Sequence, residues 1–214
     1  ASATALMIVR RRAYRLKMKA FDFRAEIERM KAEGAIQASL DQQLLGVPRE
    51  IKRACVSLVA KIGAGAFGEV WHAKLDGADV AVKTAKNGKW EVLFNETRRL
   101  LAFENAPHTI RRHIMPVLGM MRDGDFWALV MPRMDHDLRK QSRLNTGQVA
   151  LGLAKALSAI HAQGLIHCDV KDANVFISKD EGGEPIPVIG DFGCCIGARD
   201  PKPRKTGTAF YRDP

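Results

Sequence analysis

Aromatic side chains are scarce in this chain: nine Phe, three Trp and two Tyr among 214 residues. They are not interleaved with the basic residues, so the stacking surface that single-stranded nucleic acid needs is missing and no nucleic-acid partner is expected. Cysteine is sparse too. Cys55, Cys168, Cys194 and Cys195 contain no Cys-x-x-Cys pair with metal spacing, and the vicinal pair is a poor disulfide framework. Reduced thiols in a cytoplasmic setting are the expectation. No apolar run approaches the ~20 residues a membrane-spanning helix requires. There is no internal repeat and no low-complexity segment, and no acidic residue before Asp22.

What is present is positive charge, unevenly spread. The net charge is +10, and residues 1–60 hold twelve Lys/Arg against six Asp/Glu. "ATALMIV" (Ala3–Val9) is followed by "RRRAYRLKMK" (Arg10–Lys19), which carries six basic residues. Three readings stay open for it: the end of a membrane-spanning helix with its cytoplasmic positive flank, a transit peptide, or a solvated basic helix. The first residue is alanine, which suggests a piece of a longer product, with membrane attachment through sequence upstream of residue 1.

"DFRAEIERMKAE" (22–33) predicts a one-faced helix with Phe23, Ile27 and Met30 in line, capped by Asp22 and ended by Gly34. Residues 1–54 therefore form a basic helical segment and linker. From Cys55 the texture turns to β-prone runs: "CVSLVAKIG", then "GEVWHAKL" and "DVAVKTA" joined through Asp76-Gly77, a hairpin signal. A helix is predicted from about Lys89 to Phe103, strands at "IMPVLGMMR" and "FWALVMP", and a helix over "TGQVALGLAKALSAIHAQG". That last helix should carry Val149, Leu153, Leu157 and Ile160 on one stripe and end at Gly164. The fold class is α+β: a β-rich unit with one helix over 55–132, then an α-rich unit over 133–214.

Three stretches carry chemistry. "GAGAFGEV" places Gly63, Gly65 and Gly68 where bare backbone can approach phosphate oxygens, but between two strands rather than before a helix, which argues against a dinucleotide fold. In "VAVK", alternation puts Ala81 and Lys83 on one side of a strand. On the following helix Glu96 lies three residues after Leu93 and four before Leu100, so it faces inward and needs a cation; Lys83 is the candidate, with Glu91 and Glu104 fitting that face less well. "GLIHCDVKDANVFIS" (164–178) sets Asp169, Lys171 and Asn174 in a polar break between apolar runs.

Glycine loop, strand lysine, helix glutamate, the Asp169/Lys171/Asn174 break, "DFG" (Asp191–Gly193) and "TGTAFYRDP" at the end resemble the ordered motifs of protein kinases, over about Val56 to Pro214. The resemblance implies ATP and Mg²⁺ as cofactors and a protein substrate. Lys83 would hold the α and β phosphates while Glu96 fixes it, and Asn174 and Asp191 would bind magnesium. Asp169 would orient the acceptor hydroxyl and take its proton, and Lys171 would neutralise the moving phosphoryl group. Lys171 and Thr208 fit the serine/threonine pattern; a tyrosine-specific, receptor-like enzyme is the departure from it. Met131 would be the gatekeeper and Pro132 to Met134 the hinge, with Ile62, Val70 and Ala81 packed on adenine.

The sequence also departs from the family. Cys168 stands where these enzymes usually have an arginine that pairs with an activation-loop phosphate, so activity is expected to be independent of a phosphate at Thr206 or nearby. The stretch Cys194–Arg212 is basic. The match stops at Pro214, before the helices that usually follow, so these 214 residues alone are expected to be unstable or inactive. The alternative function is a kinase-like module that binds nucleotide or a partner without turnover. Oligomeric state is not indicated.

Overall fold

The structure is a computed structural model that describes residues 48–65, 68–86, 90–123, 126–140 and 145–198. The expected helix at 22–33, the basic N-terminal stretch, Thr206 and Thr208 lie outside the described residues.

The first unit is a six-stranded sheet made from β1 (Glu50–Lys52), β2 (Val56–Ala64), β3 (Gly68–Leu75), β4 (Ala78–Ala85), β5 (Gly119–Asp123) and β6 (Phe126–Pro132), in the order β1-β5-β6-β4-β3-β2. The β3–β4 hairpin turns at Asp76 and Gly77, both at positive φ (48° and 89°), the geometry a two-residue turn between twisted strands demands. Side-chain alternation sorts the strands onto two faces. Val80, Val82, Ala128 and Val130 join Ile51, Val56, Ala73 and Met121 in one cluster. Trp127, Leu129 and Met131 face the other way, onto Leu93, Phe94 and Leu100 of helix α1 (Trp90–Leu101). β6 is thus apolar on both faces. The edge strand β1, parallel to β5, falls inside the stretch assigned from sequence to the linker.

The strand expected over 114–122 is only half there. β5 begins at Gly119, and the preceding residues run as irregular chain after the short helix α2 (His108–Arg111). Backbone competition explains it: Met115 N–H donates to the Ile189 carbonyl at 2.8 Å and Ile189 N–H to the His113 carbonyl at 2.9 Å, while Pro116 has no N–H to give a ladder.

The second unit holds helix α3 (Thr146–Ala162) and short strands: β7 (His136–Asp137), β8 (Leu165–Ile166), β9 (Val175–Lys179), β10 (Pro185–Ile189) and β11 (Ile196–Gly197). Asn145 caps α3, its Oδ1 accepting from Gly147 N–H and Gln148 N–H. Of the expected stripe only Ile160 is fully buried, alongside Gly152 and Ala156; Val149, Leu153 and Leu157 are half-buried, and Leu151 is 58% exposed. Small residues won because β10 sits so close. A Cβ on Gly152 would lie 2.5 Å from Pro187 Cγ and 2.9 Å from His113 Cε1. No described helix is long and apolar enough to cross a membrane.

Candidate active site

Lys83 sits on β4 between Val82, buried in the outer cluster, and Thr84, so its own side chain projects from the opposite face toward α1. It is 7% exposed, and its Nζ donates to Glu96 Oε1 at 2.8 Å, Glu96 Oε2 at 2.7 Å and Asp191 Oδ1 at 2.7 Å. Glu96, on the α1 face bearing Leu93 and Leu100, is 1% exposed. Burial disfavours the Lys83 ammonium, but Glu96 and Asp191 outweigh it and raise the lysine pKa. Burial also pushes the Glu96 carboxyl up, with Lys83 pulling it back. Two short contacts to one buried ammonium make the ionised pair the state of this site.

Asp191 comes from the segment after β10. Its backbone is left-handed (φ 61°, ψ 68°) and a short 3-10 turn, Phe192–Cys194, follows it. Phe192 is fully buried, with its ring 4.9 Å from His167 and 6.1 Å from Phe103.

The polar break between β8 and β9 is tied down from several sides. Lys171 Nζ donates to Asp169 Oδ2 at 2.8 Å, and Asn174 Nδ2 donates to both Asp169 Oδ2 and the Asp169 carbonyl at 2.9 Å. Gly190 N–H in turn bonds the Asn174 carbonyl at 2.9 Å, joining this loop to the residue before Asp191. His167 was not singled out from sequence, yet it anchors the loop: its Nε2 bonds the Gly190 carbonyl at 3.1 Å and its Nδ1 accepts from Asp169 N–H at 3.3 Å. Those partners fix the tautomer with hydrogen on Nε2. Burial keeps its pKa below the usual value. The signal that could have marked it is a polar side chain directly after the apolar run Leu165-Ile166. Cys168 is left-handed (φ 62°), with its Sγ 3.5 Å from the Ile166 carbonyl.

The described glycines flank the turn between β2 and β3. Gly65 N–H bonds the Gly68 carbonyl at 2.8 Å. Gly68 must be glycine, because a Cβ there would sit 1.7 Å from the Thr84 carbonyl oxygen. Gly63 pairs with Val70, and Val70 with Lys83; Ala81 is directly opposite Met131 on β6. Ile62 is 51% exposed, while Met134 packs at the edge of the main core. Lys83 therefore contacts both Glu96 and Asp191, Asp169, Lys171 and Asn174 form a second contact group, and Thr208 lies outside the described residues.

The donor set suits a hard divalent cation. Asp191 keeps 30% of its side chain exposed, and Asn174, by aiming its NH₂ at Asp169, turns its amide oxygen the other way. Among the described residues no three His, Cys, Asp or Glu side chains cluster into a ready-made cage. A cation held by Asp191 and Asn174 would take its remaining ligands from water and phosphate oxygens.

The sequence model of the protein kinase domain family matches residues 56–214. The chain belongs to the protein kinase family. Use of ATP, a divalent metal and protein substrates is general to that family. Relatives of this kinase include the serine/threonine-protein kinase PkaA of Streptomyces coelicolor, 32% identical over 182 residues (72% of this chain, 33% of the relative). The serine/threonine-protein kinase PAK 5 of Rattus norvegicus is 29% identical over 205 residues (83% and 27%). The serine/threonine-protein kinase/endoribonuclease IRE1 of Hypocrea jecorina is 25% identical over 175 residues (72% and 14%). The chain thus spans a third or less of the length of these relatives.

Proposed function

We propose that this kinase transfers the γ-phosphate of ATP to serine or threonine hydroxyls of proteins, in a reducing cytoplasmic setting. The observation that carries the reading is the contact of Lys83 with both Glu96 and Asp191, which brings a sheet cation, a helix carboxylate and a loop carboxylate to one point. Lys83 binds the α and β phosphates and Glu96 holds it in place. Gly63, Gly65 and Gly68 let backbone N–H groups approach the phosphates, and Ile62, Val70, Ala81, Met131 and Met134 flank the base. Asp191 and Asn174 hold magnesium, which when bound draws charge off the phosphate oxygens. Asp169 accepts the proton of the substrate hydroxyl, and Lys171, now 2.8 Å from that carboxylate, is placed to meet charge on the transferred group. Serine/threonine preference rests on Lys171 and on the naming of the relatives. The cytoplasmic setting rests on four free thiols.

The test is transfer of labelled phosphate from ATP to mixed protein substrates by the full-length protein, with Asp169→Asn as comparison. Loss of a positioned base should lower the rate roughly 10²–10⁴-fold with nucleotide binding retained. Nucleotide binding without measurable transfer by the unaltered protein would support the binding-module alternative instead, and phosphate appearing only on tyrosine would overturn the specificity.

A further inference from the structure

Helix α1 has two ties to the site. Glu96 holds Lys83, and one turn later Arg99 reaches toward the loop, its Nη1 donating a hydrogen bond to the Phe192 carbonyl at 3.1 Å. Arg99 belongs to none of the motifs by which the site was read, and it is half-buried rather than pointing into solvent. Its acceptor lies on the residue next to Asp191.

That neighbour needs holding. Left-handed backbone is unfavourable for an L-residue such as aspartate, and it persists only where surroundings over-determine it. The Phe192 ring is wedged between His167 and Phe103, and Cys195 N–H also bonds the Phe192 carbonyl at 3.1 Å. Those contacts come from within the loop or from hydrophobic packing. Arg99 supplies a charge-assisted bond from the same helix that positions Glu96.

We propose that Arg99 is a positioning residue whose bond to the Phe192 carbonyl couples the placement of α1 to the placement of the Asp191 carboxylate. The inference rests on the reading of Asp191 as a magnesium ligand and names a residue that acts through it.

The test measures the Kd of a fluorescent ATP analogue for the full-length protein, once with excess Mg²⁺ and once with chelator. The variants are Arg99→Met, Arg99→Lys and Arg111→Met. Arg111 makes a comparable bond to the Glu104 carbonyl at 3.0 Å on the exposed side of the molecule, so it controls for loss of any arginine–carbonyl bond. Losing a hydrogen bond to a charged group predicts a Kd about ten-fold weaker or more with Mg²⁺ for Arg99→Met. Without the metal it should stay within about two-fold of the parent. Arg99→Lys should recover most of the loss and Arg111→Met should match the parent. Amide hydrogen exchange at Gly193–Cys195 should quicken in Arg99→Met alone. If Arg99→Met does not fold, Arg99→Gln and Arg99→Lys give the same comparison. Equal weakening with and without Mg²⁺ would mean general loosening of α1 and overturn the proposal, as would no weakening at all. A parent protein whose nucleotide binding ignores Mg²⁺ would instead refute the reading of Asp191, an outcome visible before any variant is made.

Discussion

Removing Lys83 alone should harm the fold more than removing both members of its ion pair. In Lys83→Met the Glu96 carboxylate, 1% exposed, loses contacts of 2.7 and 2.8 Å and gains no water. Leaving one charge of a buried pair without its partner costs roughly 3–5 kcal/mol. For a domain of this size that corresponds to a fall in Tm of roughly 6–20 °C. Asp191 loses its lysine as well, but at 30% exposure it stays hydrated and adds little. Glu96 can escape part of the cost by taking a proton. Burial already pushes its carboxyl up, and without Lys83 nothing of comparable strength pulls it back. Because the folded pKa then lies above the unfolded value, the penalty is absent below about pH 4.5 and grows as pH rises through the folded pKa. In Lys83→Met/Glu96→Met both charges go and two apolar side chains fill the space, a replacement that is often neutral or stabilising. Urea unfolding at pH 5 and pH 8 should show the single variant weaker at pH 8 and the double close to the parent at both. Nucleotide affinity should be lost in both variants. A double variant no more stable than the single one, or a single variant indifferent to pH, would refute the reasoning.

Gly152→Ala should destabilise although alanine is the better helix former. The propensity gain is roughly 1 kcal/mol. The new Cβ would press on Pro187 and on His113, which is itself bonded to the Pro187 carbonyl at 2.9 Å, and overpacking costs about 1–3 kcal/mol. A higher Tm for Gly152→Ala would show that β10 can retreat. Stability should also fall as pH drops below about 6.5. His113 and His167 are both buried with pKa values pushed down by burial, so the unfolded chain takes up protons first and folding loses ground with each. His113→Asn can keep the bond made by Nδ1 and should flatten the pH dependence measured by chemical unfolding; an unchanged slope would show that His113 contributes nothing to it.

The legible parts of the fold were those where local chemistry and tertiary packing agree. Asp76-Gly77 has a two-residue turn as its natural conformation, and β6 is apolar over its whole length, so either face could be buried. Glu96 was legible because a carboxylate on an apolar helix stripe has few resolutions. α3 misled because periodicity weighs side-chain bulk, whereas the contact with β10 is set by how closely backbones approach, which favours Gly152 and Ala156. The segment 114–118 looked like a strand because its residues are apolar, but Met115 gives its N–H to the Ile189 carbonyl and Pro116 has none to give. Two-residue strands such as β8 and β11 have no periodicity to detect. His167 and Arg99 bind carbonyl groups of residues far along the chain, and a carbonyl leaves no trace in sequence.

The parallel strand β1 has a practical consequence for anyone trimming the protein. It pairs Glu50, Ile51 and Lys52 with Met120, Met121 and Arg122, and so occupies the outer rim of β5. A truncation at residue 56, where the family match begins, strips that cover and bares a row of unpaired amides and carbonyls beside two methionines. Such rims recruit strands from neighbouring molecules. A shortened chain would then precipitate through its sheet while every group of the proposed nucleotide site stayed intact.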